Sequence, residues 1–201
     1  MADEVKLTPQ LLLTAYSMGV FPMAGPDGRI RWYDPNPRAI IPLDTFHRPK
    51  RLMRTVRNAG FELRVDHDFR RVMQECAAPR GDDEEDSTWI SAQLIDAYTE
   101  LHHLGHAHSV ETWRDGVLVG GLYGVSLRGL FAGESMFSRA TDASKVALVY
   151  LIDLLRAGGF VLLDTQFITT HLARFGATEI PREEYKARLK EAMAVDAVFG
   201  K

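Results

Sequence analysis

A single cysteine, Cys76, stands in a chain of 201 residues. That excludes an internal disulfide and any cysteine-rich zinc site. No apolar run approaches the roughly 20 residues a membrane-spanning helix needs. The opening residues, Met1 to Lys6, include Asp3 and Glu4 and lack an apolar core, so no cleaved secretion signal is expected and the expected compartment is the cytoplasm. No Gly-x-Ser-x-Gly elbow occurs, and Cys76 lies in a helical pattern without a cationic setting, which makes it a poor nucleophile. No Arg/Gln-x-x-Gly-x-Gly/Ala loop opens a helix, so the pyrophosphate of coenzyme A has no expected cradle.

What is present is globular: 46% hydrophobic and 25% charged residues exclude disordered and fibrous classes. The net charge of -3 conceals an uneven distribution. Residues 1–80 hold 13 Lys and Arg against 9 Asp and Glu, and the remainder holds 11 against 18. The basic excess is densest from Arg48 to Arg57, where Lys50, Arg51, Arg54 and Arg57 follow one another with no acid between them. Such a helix either presents a solvated face or holds a phosphate backbone.

The spacing of apolar residues predicts helices over residues 8–18, 49–58, 68–76, 91–104, 142–157, 169–175 and 182–193. Strands are expected at 29–33, 39–42, 61–65, 108–114, 117–126, 130–137 and 160–164, with hairpin turns at Asp115-Gly116 and Arg128-Gly129. The acidic run Asp82 to Asp86 reads as a mobile surface loop. Antiparallel strands followed by a helix and a further strand give an α+β fold. Asp142 or Ser144 is the expected cap of the 142–157 helix.

Several polar residues have two readings. Asp164 and Gln166 follow the apolar stretch Phe160 to Leu163; they either bind an amine or serve as a cap and a satisfied buried amide. Glu134 lies between apolar neighbours, so it is either paired internally or awaits a cation. Strand pleat would put it on one face with Ala132 and Met136. Gly120, Gly121 and Gly124 in one strand mark either a bulge or a close approach of a ligand. His102, His103, His106 and His108 have loose metal-like spacing, but Gly105 interrupts the helix, and core or capping roles are expected instead. Trp32, Tyr33 and Trp89 lie in turn-rich segments, where an aromatic either packs or stacks a base.

Eight strings occur in order: Ala15-Tyr-Ser-Met-Gly-Val-Phe-Pro22, Trp32-Tyr-Asp-Pro-Asn-Pro-Arg38, Thr88-Trp-Ile90, Gly105-His-Ala-His-Ser109, Gly120-Gly-Leu-Tyr-Gly124, Gly133-Glu-Ser-Met-Phe-Ser138, Ala143-Ser-Lys145 and Asp164-Thr-Gln166. Together they resemble the bacterial leucyl/phenylalanyl-tRNA–protein transferases, over roughly Pro9 to Arg188. The resemblance implies transfer of Leu or Phe, and less well Met, from aminoacyl-tRNA to proteins beginning with Arg or Lys, which creates a degradation signal. It implies a small N-terminal α/β domain, here 1–60, and an acetyltransferase-like (GNAT-like) mixed-sheet domain over 61–201. No metal and no cofactor is implied, nor a membrane, and a monomer is expected.

Matched by motif, Asp164 and Gln166 correspond to the catalytic pair and Glu134 to an active-site acid. Trp32 and Trp89 correspond to aromatics around the aminoacyl-adenosine end, and Leu122, Phe131 and Met136 to the side-chain pocket, with Ser138 in the same string. Lys50, Arg51, Arg54 and Arg57 are the expected tRNA contacts. Leu122 and Tyr33 depart from the commoner Met and Trp, and the acidic loop 81–86 is longer than usual. An acetyltransferase-type enzyme using an acyl thioester, and a non-catalytic RNA-binding protein, are the rival readings.

Overall fold

A computed structural model of the chain describes residues 6–79 and 88–200. The acidic run 82–86 lies outside the described residues. Helix α1 (Pro9–Ser17) starts where Thr8 accepts a hydrogen bond from the Leu11 N–H at 3.2 Å, with Pro9 in the first turn. It buries Leu12, Ala15 and Tyr16. Strands β1 (Phe21–Ala24) and β2 (Ile30–Tyr33) form a separate antiparallel hairpin. β1 was not anticipated, because Pro22 disfavours a central strand. It is tolerated here because the hairpin is only two strands wide, so Pro22 is not in a central strand.

The remaining strands build one seven-stranded sheet. They are β3 (Arg38–Ile41), β4 (Glu62–Val65), β5 (Ala107–Arg114), β6 (Val117–Leu127), β7 (Leu130–Ser138), β8 (Leu162–Gln166) and β9 (Thr178–Ile180), in the order β4-β5-β6-β7-β8-β3-β9. Every pairing is antiparallel except β7 with β8. The α+β expectation therefore holds. Three-residue β9 sits at the sheet edge and is too short to show a period in sequence. Residues 38–58, grouped in sequence with the N-terminal unit, give β3 to this sheet and α2 (Lys50–Asn58) to the layer over α5 (Ala143–Ala157).

Helices cover both faces. On one side α1, α3 (Phe69–Ala77) and α4 (Ala92–His103) share a core with Tyr98, Tyr123 and Val125. On the other, α5 and α2 pack over Val110, Leu122 and Phe131. Helix α7 (Arg182–Met193) covers β8, β3 and the sheet edge through Tyr185 and Leu189. α5 approaches β6 so closely that a Cβ on Gly120 would meet the Ala143 Cβ at 2.5 Å. Neither Asp142 nor Ser144 caps α5 by its side chain; Asp142 has φ +65° and pairs with Lys145, and the Ser144 N–H donates to Ser138 Oγ at 3.2 Å.

The strand expected over 160–164 runs instead from Leu162 to Gln166. The Phe160 N–H still closes α5 on the Leu155 carbonyl, and both Val161 and Leu162 reach back to the Gly129 carbonyl. Pairing with β7 begins only at Leu162, so Asp164, Thr165 and Gln166 lie within the strand rather than beyond it.

Candidate active site

β7 and β8 pair only over Leu130–Ala132 and Leu162–Asp164. Past those residues the two parallel strands separate, and the sheet splits. A cavity of about 630 Å³ occupies the split. Its apolar wall combines Leu122 and Met136, a cross-strand pair, with Leu148 and Leu151 of α5 and Leu163 of β8. Phe21, Met23 and Trp89 line the opposite mouth. The Ala24 N–H donates to the Trp89 carbonyl at 3.0 Å, which holds the loop carrying Trp89 against the β1 hairpin.

Glu134 reaches the cavity through a bulge. Tyr123 faces Ser135 and Gly124 faces Gly133, so Glu134 is the extra residue on β7. Gly124 is required there: a Cβ would lie 2.4 Å from both the Ala132 carbonyl oxygen and the Phe131 ring. The bulge also changes the phase of the strand. Ala132 packs with the α3–α4 core and Met136 with the α5 core, so the single face expected for Ala132, Glu134 and Met136 does not exist. The three glycines of β6 thus serve a bulge and close packing of backbone and helix.

At the base of the cavity, Gln166 Nε2 donates to Glu134 Oε1 at 3.1 Å. Burial pushes the Glu134 carboxyl up to about 8. The Asp164 charge raises it further, while a Tyr16 hydrogen bond and the Arg38 charge oppose the rise. Beside it the hydroxyls of Tyr16 and Tyr98 bond to each other, and burial pushes both phenols well above their usual range.

Asp164 is fully buried and does not line the cavity. Arg38 Nε and Nη2 donate to its two carboxylate oxygens at 2.8 and 2.6 Å. The Tyr185 hydroxyl and the Gln166 N–H donate to the same carboxylate at 2.8 and 2.9 Å. A carboxylate with every oxygen so engaged has no room for an amine.

Among the residues singled out in sequence, the structure brings Trp89, Leu122, Glu134, Met136, Ser138 and Gln166 to the cavity. Phe131 is fully buried behind the wall, stacked on Phe199. Trp32 is 38% exposed on the hairpin and is not a lining residue; Met23, facing Arg31 on the same hairpin, lines the mouth. Lys50, Arg51, Arg54 and Arg57 point outward from α2, away from Leu52, which is buried. His102 Nδ1 donates to the Ala107 carbonyl at 2.7 Å and its ring stacks on Phe69, while His108 Nδ1 lies 2.7 Å from Asp66. Among the described residues no group of three His, Cys, Asp or Glu converges. Sequence reading missed Phe21, Met23, Leu148, Leu151 and Leu163 as lining residues. Only Leu148 and Leu151 carried a signal: with Ser144 they form one row along α5, three to four residues apart.

The family described as leucyl/phenylalanyl-tRNA protein transferase matches residues 40–190, and its N-terminal domain matches 6–36. The leucyl/phenylalanyl-tRNA–protein transferase of Herpetosiphon aurantiacus is 60% identical over 195 residues, covering 96% of this chain and 98% of the relative. That of Gloeobacter violaceus is 53% identical, covering 97% and 98%. Likeness to solved structures is distant. A ribosomal-protein-alanine N-acetyltransferase from Brucella melitensis gives a TM-score of 0.36 at 17% identity, covering 71% of this chain and 96% of that one. Among the described residues no helix is long and apolar enough to cross a membrane.

Proposed function

The chain belongs to the leucyl/phenylalanyl-tRNA protein transferase family, and from that premise we propose that it moves leucine or phenylalanine from aminoacyl-tRNA to the α-amine of proteins beginning with Arg or Lys. The observation that carries the reading is the cavity in the split sheet, which joins an apolar wall to the Gln166–Glu134 pair. The wall formed by Leu122, Met136, Leu148 and Leu151 accepts an unbranched-at-Cβ apolar side chain. One methylene is worth about 1–3 kcal/mol in such a wall, so methionine leaks through. Trp89, with Phe21 and Met23 beside it, receives the terminal adenosine by stacking.

The donor ester is already activated, so positioning supplies most of the catalysis. An α-amine has a pKa of about 7.7–8.0, which leaves a useful neutral fraction near pH 7. That nitrogen attacks the ester carbonyl; the new C–N bond forms, the C–O bond to ribose breaks, and the amine proton passes to the departing ribose oxygen. Gln166 gives its N–H to Glu134, and its amide oxygen accepts from the attacking amine. Glu134, whose buried proton an arriving cation displaces, then faces the cationic acceptor as a carboxylate. Asp164 acts through Gln166, whose N–H it holds, and not as the base. The exposed cations of α2 bind the tRNA backbone without reading bases. Charged tRNA as donor supports a cytoplasmic reaction.

The test is single-residue extension of an Arg-initiated peptide by labelled Leu-tRNA. Wild type should label the peptide. Gln166→Ala should lower turnover by about 100-fold while leaving the dissociation constant for aminoacyl-tRNA within about twofold. Parallel loss of binding and turnover would contradict the assigned role.

A further inference from the structure

The string Trp32 to Arg38 reaches the site through its last residue and not through its aromatics. Arg38, on β3, is 1% exposed. Besides its two bonds to Asp164, its Nη1 donates to the Gly19 carbonyl at 2.9 Å. Its guanidinium lies over the Tyr185 ring at 4.4 Å from the centroid and over the Phe21 ring at 4.8 Å. One side chain therefore touches the end of α1, the cavity wall at Phe21, the strand β8 and the helix α7.

The consequence falls on Gln166. Its φ is +58°, in the left-handed region that a side chain with Cβ adopts at a cost. The Phe167 N–H donates to the Thr165 carbonyl at 2.6 Å, closing a γ-turn around Gln166. A γ-turn with positive φ is the rare, strained form and persists only where its surroundings enforce it. Here the enforcing contact is the bond from the Gln166 N–H to Asp164 Oδ1, and Asp164 is itself fixed by Arg38 and Tyr185. The turn aims the Gln166 amide at Glu134 across the split in the sheet.

We infer that Arg38 is a positioning residue of the transfer site: by clamping Asp164 it holds Gln166 in its strained turn. Arg38 suits the task where Lys would not, because two carboxylate oxygens and a carbonyl must be reached by one planar group. The inference rests on the functional reading above.

A double-mutant cycle tests it, with turnover and KM for aminoacyl-tRNA measured at a temperature where each variant is folded by circular dichroism. Arg38→Gln should lower turnover by roughly 30- to 100-fold with KM within about threefold. In a Gln166→Ala background the same substitution should cost almost nothing, because the group it positions is gone. A purely structural Arg38 predicts multiplied losses in the double variant, and that result would overturn the inference. Should Arg38→Gln fail to fold, Tyr185→Phe removes one hydroxyl bond to Asp164 and leaves no cavity. It should lower turnover by roughly three- to tenfold, again only when Gln166 is present; unchanged turnover would also overturn the inference. A wild type that transfers nothing would strike at the functional reading instead.

Discussion

The chemistry of Glu134 depends on its surroundings. Its carboxyl is raised from the ordinary range to about 8, chiefly by burial. The proton is therefore held more tightly in the folded chain than in the unfolded one between about pH 4.5 and 8. In that window the folded state binds more protons, so stability falls as pH rises, and the fall ends above about 8. Glu134→Gln removes the titration. Its melting temperature relative to wild type should climb between pH 5 and pH 8 by several degrees, on the order of 2–4 °C for each kcal/mol. A difference that stays flat across that range would show that Glu134 is already charged in the free protein. Gly120 gives a second prediction at this scale. The Ala143 Cβ and the backbone of α5 stand 2.5 and 3.0 Å from any added Cβ, and neither can swing aside. Gly120→Ala should destabilise by about 1–3 kcal/mol in denaturant melts.

At the scale of elements, α2 is the clearest case of a helix built for its surface. Lys50 and Arg51 occupy its first turn, where the helix dipole disfavours cations by about 0.3–1 kcal/mol, and no acid offsets them. Leu52, Met53 and Val56 hold it to the α5 core. Replacing Lys50, Arg51 and Arg54 with Ala should leave the melting temperature equal or slightly higher. It should weaken tRNA binding and reduce the slope of log affinity against log salt by about two to three. An unchanged slope would remove α2 from the tRNA interface. The basic face of α2 was legible in sequence because charge is a local property. So were β5, β6 and β7, whose turns Asp115-Gly116 and Arg128-Gly129 are local signals. The bulge at Glu134 was not legible, because register belongs to a pair of strands, and it reversed the expected facing of Ala132 and Met136. Nor was the late start of β8, which depends on Gly129 bonding two residues of another segment.

At the scale of the whole molecule, the site exists because two parallel strands part. Phe21, Met23 and Trp89 enter from the N-terminal hairpin and its neighbouring loop, Leu148 and Leu151 from α5, and Gln166 from β8. No single segment encodes that convergence. Motifs named Asp164, Gln166 and Glu134, yet only the fold separates Asp164, locked to Arg38, from the pair that meets the cavity. The same convergence explains why Trp32, prominent in sequence, lies off the cavity while Met23 lines it. The activity of the assembled site depends on that convergence. It is tested most directly by supplying Leu-tRNA and Phe-tRNA with four peptides, beginning in Arg, Lys, Ala or Nα-acetyl-Arg, and reading product masses. One Leu or Phe residue should be added to the Arg and Lys peptides alone. Equal extension of the Ala peptide, or aminoacyl-tRNA left intact with every peptide, would contradict it.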